Sequence, residues 1–385
     1  MNRFGYKRAA LTGIAPSRYF SSGVYEVLYP MGFEWHRNEM KALVRAAGFE
    51  VADEMWQKIP HIDPAYFLGR GKVREVLESG YPVVVVAHDL KPAQYSRWED
   101  LAEEMNAKVE IYDRTSLILR IFEKHAFSRE AKLRVELARN LWLLPRLRGW
   151  GLELSRLGGQ PGTRGPGEMK LEIERRRLRE RIRKLKADIE RYSRERENQR
   201  KRRGKSRLLK VSIVGYTNAG KSTLLRLLSK DENIEVEDSP FATLSPRVRR
   251  VYWKGNYLLV SDTVGFISDL PPLLLDAFRS TLEEIGFSDV VWHVIDSSVL
   301  NMPSGARYLE KMIGTVEDIL RQLGFWGMPI LKVFNKVDLL SSPSGLMPFV
   351  DENSVLISAK EGVGIDELLS KTFQKVGGAS VLGGT

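Results

Sequence analysis

The amino-acid sequence predicts an α/β fold that is divided into more than one domain. A chain of 385 residues is too long for one ordinary hydrophobic core, so we expect two or three domains. In two separate parts of the chain, short apolar runs typical of strands alternate with amphipathic stretches typical of helices, which indicates mostly parallel sheets. We predict a small α/β subdomain at residues 1–125 and a helical hairpin at residues 126–207. A larger α/β domain at residues 208–376 and a disordered tail at residues 377–385 follow.

The first α/β section contains four runs that we interpret as strands, at residues 9–14, 49–52, 83–88 and 108–112. Amphipathic stretches between them predict helices at residues 37–47, 72–79 and 92–105. Because the two kinds of element alternate, we expect a small, mostly parallel sheet.

Two helices with narrow apolar stripes follow, at residues 129–144 and 168–200. The residues on these stripes are Leu133, Leu137, Leu141 and Leu144, then Leu171, Leu178, Ile182, Leu185, Ile189 and Tyr192. Such stripes suit an antiparallel hairpin. The connection at residues 145–167 holds seven glycines and four arginines without periodicity. We interpret it as a functional tip, with a flexible linker as the alternative.

The charge of the chain is unevenly distributed. Its net charge is +11, and residues 168–203 alone carry sixteen Lys and Arg against eight Asp and Glu. A basic surface attracts a polyanion, either nucleic acid or an anionic membrane. A solvated helix face is the simpler alternative for such a run.

Composition excludes several classes of protein. The chain is 43% apolar and 28% charged, which is typical of a soluble folded protein, and no apolar run approaches the ~20 residues of a membrane-spanning helix. The absence of cysteine excludes disulfide scaffolds and thiolate metal sites, and the five histidines lack the spacing of metal ligands. Because no export signal begins the chain either, we expect a cytoplasmic protein, and a monomer.

The second α/β section predicts strands at residues 209–214, 248–253, 257–261, 290–296, 330–335 and 355–358, and helices at 222–228 and 365–375. Lys254, Gly255 and Asn256 supply turn residues between the second and third of these strands. We therefore expect those two strands to form an antiparallel hairpin.

A phosphate-binding loop is predicted where the first of these strands meets its helix. Residues 215–222 read GYTNAGKS, the P-loop pattern, in which Lys221 reaches the β and γ phosphates and Ser222 offers its hydroxyl to Mg²⁺. The candidate nucleotide contacts in this segment are Gly215, Tyr216, Thr217, Asn218, Ala219, Gly220, Lys221, Ser222 and Thr223.

Two further segments complete the predicted phosphate site. Asp262 ends an apolar strand, where its carboxylate can hold Mg²⁺, and Gly265 can sense the γ-phosphate through its N–H. Thr243, which follows Phe241 in the intervening stretch, has the position of a switch threonine that gives magnesium a second hydroxyl. We thus predict Ser222, Thr243 and Asp262 as metal ligands and Lys221, Thr243 and Gly265 as catalytic residues.

The residues predicted to form a base pocket indicate that the base is guanine. Residues 335–338 read NKVD after another apolar strand, and the Asp338 carboxylate can accept from N1–H and the N2 amine of guanine, groups that adenine does not offer. Asn335 and Lys336 belong to the same motif, and Ser358, Ala359 and Lys360 at the end of the last strand complete the pocket. The ordered set predicts GTP and GDP binding and GTP hydrolysis, and it argues against an ATP-dependent enzyme.

One position departs from the Ras-like pattern. Phe266 stands where a glutamine orients the attacking water in those enzymes, so we expect slow hydrolysis that a partner stimulates. Asn218 resembles the P-loop asparagine of some cation-activated GTPases, which suggests a possible K⁺ site as a second hypothesis.

Segments outside the nucleotide motifs resemble the HflX family of ribosome-associated translational GTPases. They are YFLGRGK at 66–72, YDRTSLIL at 112–119, VELA at 135–138, LPRL at 144–147 and GTRGPGE at 162–168. The P-loop and DTVGF at 262–266 also resemble the motifs of that family, so Phe266 is shared with it. The similarity covers nearly the whole chain.

The resemblance implies an N-terminal α/β subdomain, a helical hairpin and a GTPase domain. It also implies binding to the large ribosomal subunit and, in bacterial members, GTP-regulated splitting of ribosomes under stress. The residues themselves indicate a contact with ribosomal RNA, since the glycine- and arginine-rich tip of the basic hairpin suits phosphate and stacking contacts. Two departures are Ser245, where many members have aspartate, and the lack of the extra C-terminal domain of some relatives. The competing interpretation is a Ras-like switch with a protein effector and no ribosomal role.

Overall fold

The structure, a computed structural model, describes residues 6–17, 22–148, 166–203, 208–229, 240, 247–263, 265–267, 271, 273–275, 282, 285–325 and 327–377. The chain folds into two compact units. Unit 1 comprises Met1–Arg196 with Pro271–Ala277, and unit 2 comprises Glu197–Leu270 with Phe278–Thr385. Both units are α/β, as the sequence predicts. Within the described ranges, no helix is long and apolar enough to cross a membrane.

Unit 1 is built on a four-stranded sheet in which every pair is parallel. Its strands are β1 (Lys7–Ala15), β2 (Phe49–Lys58), β3 (Val83–Val86) and β4 (Glu110–Tyr112), in the order β2-β1-β3-β4. All four valines of β3 are fully buried, as expected for a strand between two others. β2 extends well beyond the predicted residues 49–52 because it pairs with β1 along its full length.

The helices of unit 1 before the hairpin are α1 (Ser22–Leu28), α2 (Phe33–Ala46), α3 (Arg70–Glu78), α4 (Pro92–Glu104) and α5 (Arg114–His125). Helices α1 and α5 were not predicted from the sequence. Most residues of α5 are buried, among them the polar residues Arg114, Thr115 and Ser116. Its N-terminal cap was visible as a signal: Asp113 accepts a hydrogen bond from the Ser116 backbone N–H at 2.8 Å.

The predicted helical hairpin consists of α6 (Arg129–Leu143) and α7 (Pro166–Arg203). The two helices run antiparallel: Arg129 lies over the ring of Tyr192, while Glu136, further along α6, pairs with Arg181, earlier on α7, at 2.6 Å. The stripe of α7 is buried at Ile182, Leu185 and Ile189. The leucine stripe predicted for α6 is only half-buried. The most buried apolar side chains of α6 are Ala131, Val135 and Ala138 instead, and α6 also contacts α5. Residues 149–165 of the predicted tip lie outside the described residues.

Two buried histidines lie near the carboxyl end of β3. The ring of His88 lies 4.8 Å from that of His36 and 5.1 Å from that of Phe67, measured between centroids. Burial lowers the pKa of His36 to about 3 and the pKa of His88 well below its ordinary value, and the charge of Arg114 lowers both further. Neither ring nitrogen of His88 has a hydrogen-bond partner within the described part of the chain. Both imidazoles are therefore neutral near pH 7.

Unit 2 is built on a mixed six-stranded sheet. Its strands are β5 (Leu209–Gly215), β6 (Arg247–Trp253), β7 (Asn256–Asp262), β8 (Val290–Asp296), β9 (Ile330–Asn335) and β10 (Ser354–Leu356), in the order β10-β9-β8-β5-β7-β6. Only β6 runs antiparallel to its neighbour. The predicted hairpin is thus confirmed, and Lys254 and Gly255 both have positive φ (43° and 84°), as tight hairpin turns require.

Helices cover both faces of this sheet. On one face, α8 (Lys221–Ser229) and α10 (Ile365–Gly377) pack on a core that includes Val211, Trp292 and Val333. On the other, α9 (Gly305–Gln322), which the sequence analysis missed, packs against Ile295 and Phe334. β5 has β8 on one side and β7 on the other, so the chain leaves its carboxyl end at a switch point, where open α/β sheets bind ligands.

Candidate nucleotide-binding site

The loop that leaves β5 has room only for glycine at two positions. A Cβ atom on Gly215 (φ 149°) would lie 2.1 Å from the carbonyl oxygen of Val294, and one on Gly220 (φ 91°) would lie 2.2 Å from Nδ2 of Asn335. Asn218 has φ 61°, the left-handed conformation that asparagine tolerates better than most residues. Close packing against β8 and β9 therefore imposes the shape of the loop.

Lys221 begins α8 and folds its side chain back into the loop. Its Nζ donates hydrogen bonds to the carbonyl oxygens of Gly215 at 3.1 Å and Tyr216 at 2.7 Å. Burial lowers the pKa of Lys221 to about 8, the nearby Asp262 raises it, and Lys336 lowers it. The ammonium is thus buried inside the loop. In such a low-dielectric environment its attraction to an added phosphate is stronger than it would be in water.

Side-chain oxygens of Ser222 and Asp262 lie close together beside Lys221. The hydroxyl of Ser222 donates to Oδ2 of Asp262 at 2.9 Å, and the hydroxyl of the adjacent Thr263 donates to the Ile213 carbonyl at 2.6 Å, which secures the end of β7 against β5. A hydroxyl beside a carboxylate is a donor set that suits Mg²⁺. The predicted ligand Thr243 and its neighbour Phe241 lie outside the described residues.

The segment after Asp262 reaches the loop through its backbone. A Cβ on Gly265 would lie 2.8 Å from Nζ of Lys221 and 2.9 Å from Cα of Thr217, so this glycine sits directly against the loop. The N–H of Phe266 donates to the Gly215 carbonyl at 3.0 Å, and its carbonyl accepts from the Thr217 N–H at 2.7 Å. The side chain of Phe266 is 2% exposed. Phe266 therefore contributes backbone contacts and a buried ring here.

Asn335 connects the two ends of the site. Its Nδ2 donates to the Ala219 carbonyl at 2.8 Å, and its Oδ1 accepts from the Ala359 N–H at 2.9 Å. The side chain is buried, so both hydrogen bonds are shielded from water. One amide thus joins the phosphate loop to the loop predicted to hold the base.

The remaining predicted base contacts surround this amide. Lys336 has a left-handed φ of 64°, and its Nζ pairs with Oδ2 of Asp296 at 2.7 Å. Asp338 is exposed, which leaves its carboxylate accessible to a ligand. Ser358 is fully buried, and its hydroxyl accepts from the Glu361 N–H at 3.1 Å. The structure therefore gathers residues 335–338 and 358–360 at the carboxyl ends of β9 and β10.

Asp296 also lies beside the predicted base contacts, although it was not predicted from the sequence. This carboxylate ends β8, pairs with Lys336 and also accepts from the backbone N–H of Ser298 at 3.0 Å. A carboxylate at the end of a predicted strand was the signal that could have identified it.

Tyr216 is buried, Thr223 is half-buried on α8, and Lys360 is exposed beside Glu361.

Three family models match the chain in sequence. Residues 34–123 match the model described as GTP-binding GTPase N-terminal, and residues 125–203 match the GTP-binding GTPase middle region. Residues 210–336 match the model described as 50S ribosome-binding GTPase. Together these matches extend over most of the chain.

Full-length relatives are also similar. The chain is 43% identical over 337 residues to GTPase HflX of Caldanaerobacter subterraneus subsp. tengcongensis, covering 86% of this chain and 75% of that protein. It is 38% identical over 351 residues to GTPase HflX of Escherichia coli, covering 88% and 79%. Among solved structures, a GTP-binding protein from Sulfolobus solfataricus in complex with GDP superimposes with a TM-score of 0.53 at 24% identity, covering 97% of this chain and 100% of the other. That likeness shows a shared fold.

Proposed function

This chain belongs to the HflX family of GTPases, and from that membership we propose that it binds the large ribosomal subunit and uses GTP to regulate ribosome splitting, recycling or rescue under stress. The observation that carries this proposal is the presence, in one chain, of a guanine-nucleotide site and a helical hairpin with sixteen basic residues on one segment. The match of residues 210–336 to a 50S ribosome-binding GTPase model supports it.

The geometry suggests how the site binds and positions GTP. Lys221 would exchange its two loop carbonyls for the β and γ phosphates, where its charge offsets theirs in a buried environment. Asp338 would accept from guanine N1–H and the N2 amine. Asn335 would keep the phosphate loop and the base loop in a fixed relationship. Each of these roles is binding or orientation, which is most of what phosphoryl transfer requires from protein side chains.

We propose that Ser222 and Asp262, with Thr243, hold Mg²⁺. The 2.9 Å contact between the first two side chains supports this assignment, because oxygen ligands of this kind are the ones magnesium prefers. When bound, the ion would neutralise charge on the β and γ phosphates.

We propose that hydrolysis is slow without a partner and is stimulated by the ribosome. The water-orienting position holds Phe266, whose buried ring has no hydrogen-bonding group and whose backbone contacts Gly215 and Thr217. The measurement is the single-turnover GTPase rate with and without purified large subunits, and equal rates would contradict stimulation.

K⁺ is a second proposed cofactor, near Asn218. Asn218 lies in the P-loop sequence, at a position that resembles that of the asparagine in some cation-activated GTPases, and its φ is 61°. GTPase rates measured in K⁺ and in Na⁺ at equal ionic strength test the proposal, with Asn218→Ala as the variant that should lose any difference. Equal rates for the native chain in the two salts would contradict it.

The ribosomal contact is proposed to involve rRNA and the helical hairpin, acting in the cytoplasm, where ribosomes are. Along α7, Arg175, Arg179, Arg183 and Lys186 follow one another at helical spacing, and within the described side chains none of them has an acidic partner. Uncompensated cations suit phosphate contacts. Deletion of residues 158–165 should leave GTP binding intact and weaken association with large subunits.

The alternative function is a Ras-like switch whose effector is a protein. Salt-dependent co-sedimentation with large subunits, in the GTP and GDP states, distinguishes the two. Binding that weakens as salt rises supports the ribosomal function. No binding in either state would contradict it and leave the protein effector.

A further inference from the structure

The β6–β7 hairpin of unit 2 has two different faces. Toward α10 it is covered: Val251 and Leu258 are buried, and Trp253 stacks on Phe373 at 5.4 Å between ring centroids. On the opposite face, Tyr252 is 62% exposed and Tyr257 is 40% exposed. Side chains alternate between faces along a strand, so this difference separates one face of the hairpin from the other.

The exposed face carries a defined group of side chains, which we name the tyrosine face. Its members are Val248, Arg250, Tyr252, Tyr257 and Leu259. Tyr252 and Tyr257 are directly opposite in the strand register, with ring centroids 5.0 Å apart. The guanidinium of Arg250 lies 3.8 Å from the centroid of the Tyr257 ring. Two aromatic rings and a stacked planar cation therefore share one small surface.

The charge of the hairpin selects among partners. Residues 247–257 contain four basic residues, Arg247, Arg249, Arg250 and Lys254, and no Asp or Glu. Protein interfaces are also enriched in Tyr and Arg, so these residue types alone do not select the partner. The excess of four positive charges without an acidic residue does, because surfaces that hold single-stranded nucleic acid combine such cations with aromatic rings on which bases stack. The combination therefore favours a single-stranded nucleic acid, in which phosphates carry negative charge and bases supply flat rings.

We propose that the tyrosine face is a binding surface for unpaired RNA bases, located on the nucleotide-binding unit itself. Tyr252 and Tyr257 stack with bases, and Arg250 contacts a phosphate. Arg249 alternates to the opposite face and Lys254 lies over the Trp253 ring, so these two cations add only to the positive field of the hairpin. A duplex buries its bases in its own stack and offers this surface only phosphates. The surface therefore discriminates single-stranded from double-stranded RNA.

The position of the face links it to the nucleotide site. β7 begins beside the turn and ends at Asp262, so Tyr257 and Asp262 are separated by about 17 Å of one continuous strand. The same strand register pairs Arg247, at the start of β6, with Asp262. RNA held on the tyrosine face thus contacts the two strands that deliver the predicted magnesium ligand.

The test compares the full chain with a Tyr252→Ala/Tyr257→Ala double variant. Anisotropy titrations use a fluorescein-labelled oligouridylate and a duplex RNA of the same length, because α7 can bind both. The double variant should bind the oligouridylate at least about tenfold more weakly and the duplex as the native chain does. The Tyr252→Phe/Tyr257→Phe variant, which keeps the rings, should retain native affinity for both. Tyr6→Ala, at an exposed tyrosine of unit 1, is the matched control.

Three outcomes would overturn the proposal. Equal affinity of the native chain and the double alanine variant for the oligouridylate would show that the rings do not stack with bases. Equal losses for oligouridylate and duplex would show that the rings do not distinguish unpaired bases from a duplex. Unchanged RNA binding together with loss of co-sedimentation with large subunits would assign the face to a protein partner. Thermal melting and GDP affinity of each variant establish that unit 2 is folded in every comparison.

Discussion

The side-chain amide of Asn335 donates a hydrogen bond to the carbonyl of Ala219 across 2.8 Å, although the two residues are far apart in sequence. The same amide accepts from Ala359, so three loops of unit 2 meet at one side chain. We expect Asn335→Ala to lower the affinity for GDP and for GTP by about 1–3 kcal/mol, or roughly 5- to 150-fold, because two buried backbone groups lose their partner. Calorimetric titration with both nucleotides measures this, and a loss for GTP alone would contradict the linking role.

Asp338 gives a prediction about the base. Inosine nucleotides lack the N2 amine, so the native chain should bind ITP more weakly than GTP by about 1.5–3 kcal/mol, the value of a hydrogen bond to a charged group. In Asp338→Ala this difference should disappear, because no carboxylate remains to accept from the amine. Asp318→Ala, at an exposed carboxylate on α9, should preserve the native difference. If Asp338→Ala kept the preference for GTP, the carboxylate would not contact the amine.

Lys221 predicts a pH dependence of nucleotide binding. The pKa of its buried ammonium is lowered to about 8, and bound phosphates raise it because they favour the charged form. Affinity for GDP should therefore be constant below that pH and fall above it, by up to about tenfold per pH unit. Lys221→Arg, whose guanidinium stays charged, removes this titration. A flat affinity of the native chain from one unit below to one unit above the pKa would contradict the prediction.

His88 predicts a pH dependence of the stability of unit 1. Its pKa in the folded chain lies well below the value of 6.5 that applies when unfolded. Stability is thus complete above pH 6.5 and decreases as the pH falls below it, since only the unfolded chain takes up the proton. Among the residues that the structure describes, the ring of His88 makes no hydrogen bond that His88→Phe would lose, and its neighbours are the rings of Tyr29, His36 and Phe67. The variant should unfold like the native chain at pH 7.

The same variant should be less sensitive to acid. Between pH 6.5 and pH 5 it should lose up to about 2 kcal/mol less free energy of unfolding than the native chain, as one titrating group is removed. Urea unfolding at both pH values measures this quantity. His61→Gln, at an exposed histidine, is the control and should behave as the native chain does. Identical acid losses in His88→Phe and the native chain would exclude His88 as the source.

Elements with local signals were predictable from the sequence, and those defined by tertiary contacts were not. The β6–β7 hairpin was recognised because Lys254 and Gly255 supply the left-handed backbone of its turn. Helix α5 was missed because its polar residues Arg114, Thr115 and Ser116 are buried through tertiary contacts, which a sequence pattern does not show. The full length of β2 depends on pairing with β1, which no window of sequence contains.

The same division applies to the nucleotide site. The residue types of the phosphate loop were predictable because their chemistry depends on short spacing along the chain. The contacts of Asn335 with Ala219 and Ala359 were not, since they join segments distant in sequence. Nor was the pairing of Asp296 with Lys336, which depends on β8 lying beside β9 in the sheet. The buried ring and backbone contacts of Phe266 likewise depend on the tertiary structure.

The strand order of unit 2 has a consequence for biosynthesis. β5 emerges first, yet its two neighbours in the sheet follow it by about 50 and about 80 residues, and such non-local pairing folds slowly. The loop at Ser358, to which Asn335 is joined through Ala359, is synthesised later still. A nascent chain therefore cannot assemble the predicted base site until almost all of this unit has been synthesised. We expect nucleotide affinity to appear only when translation of the unit is nearly complete.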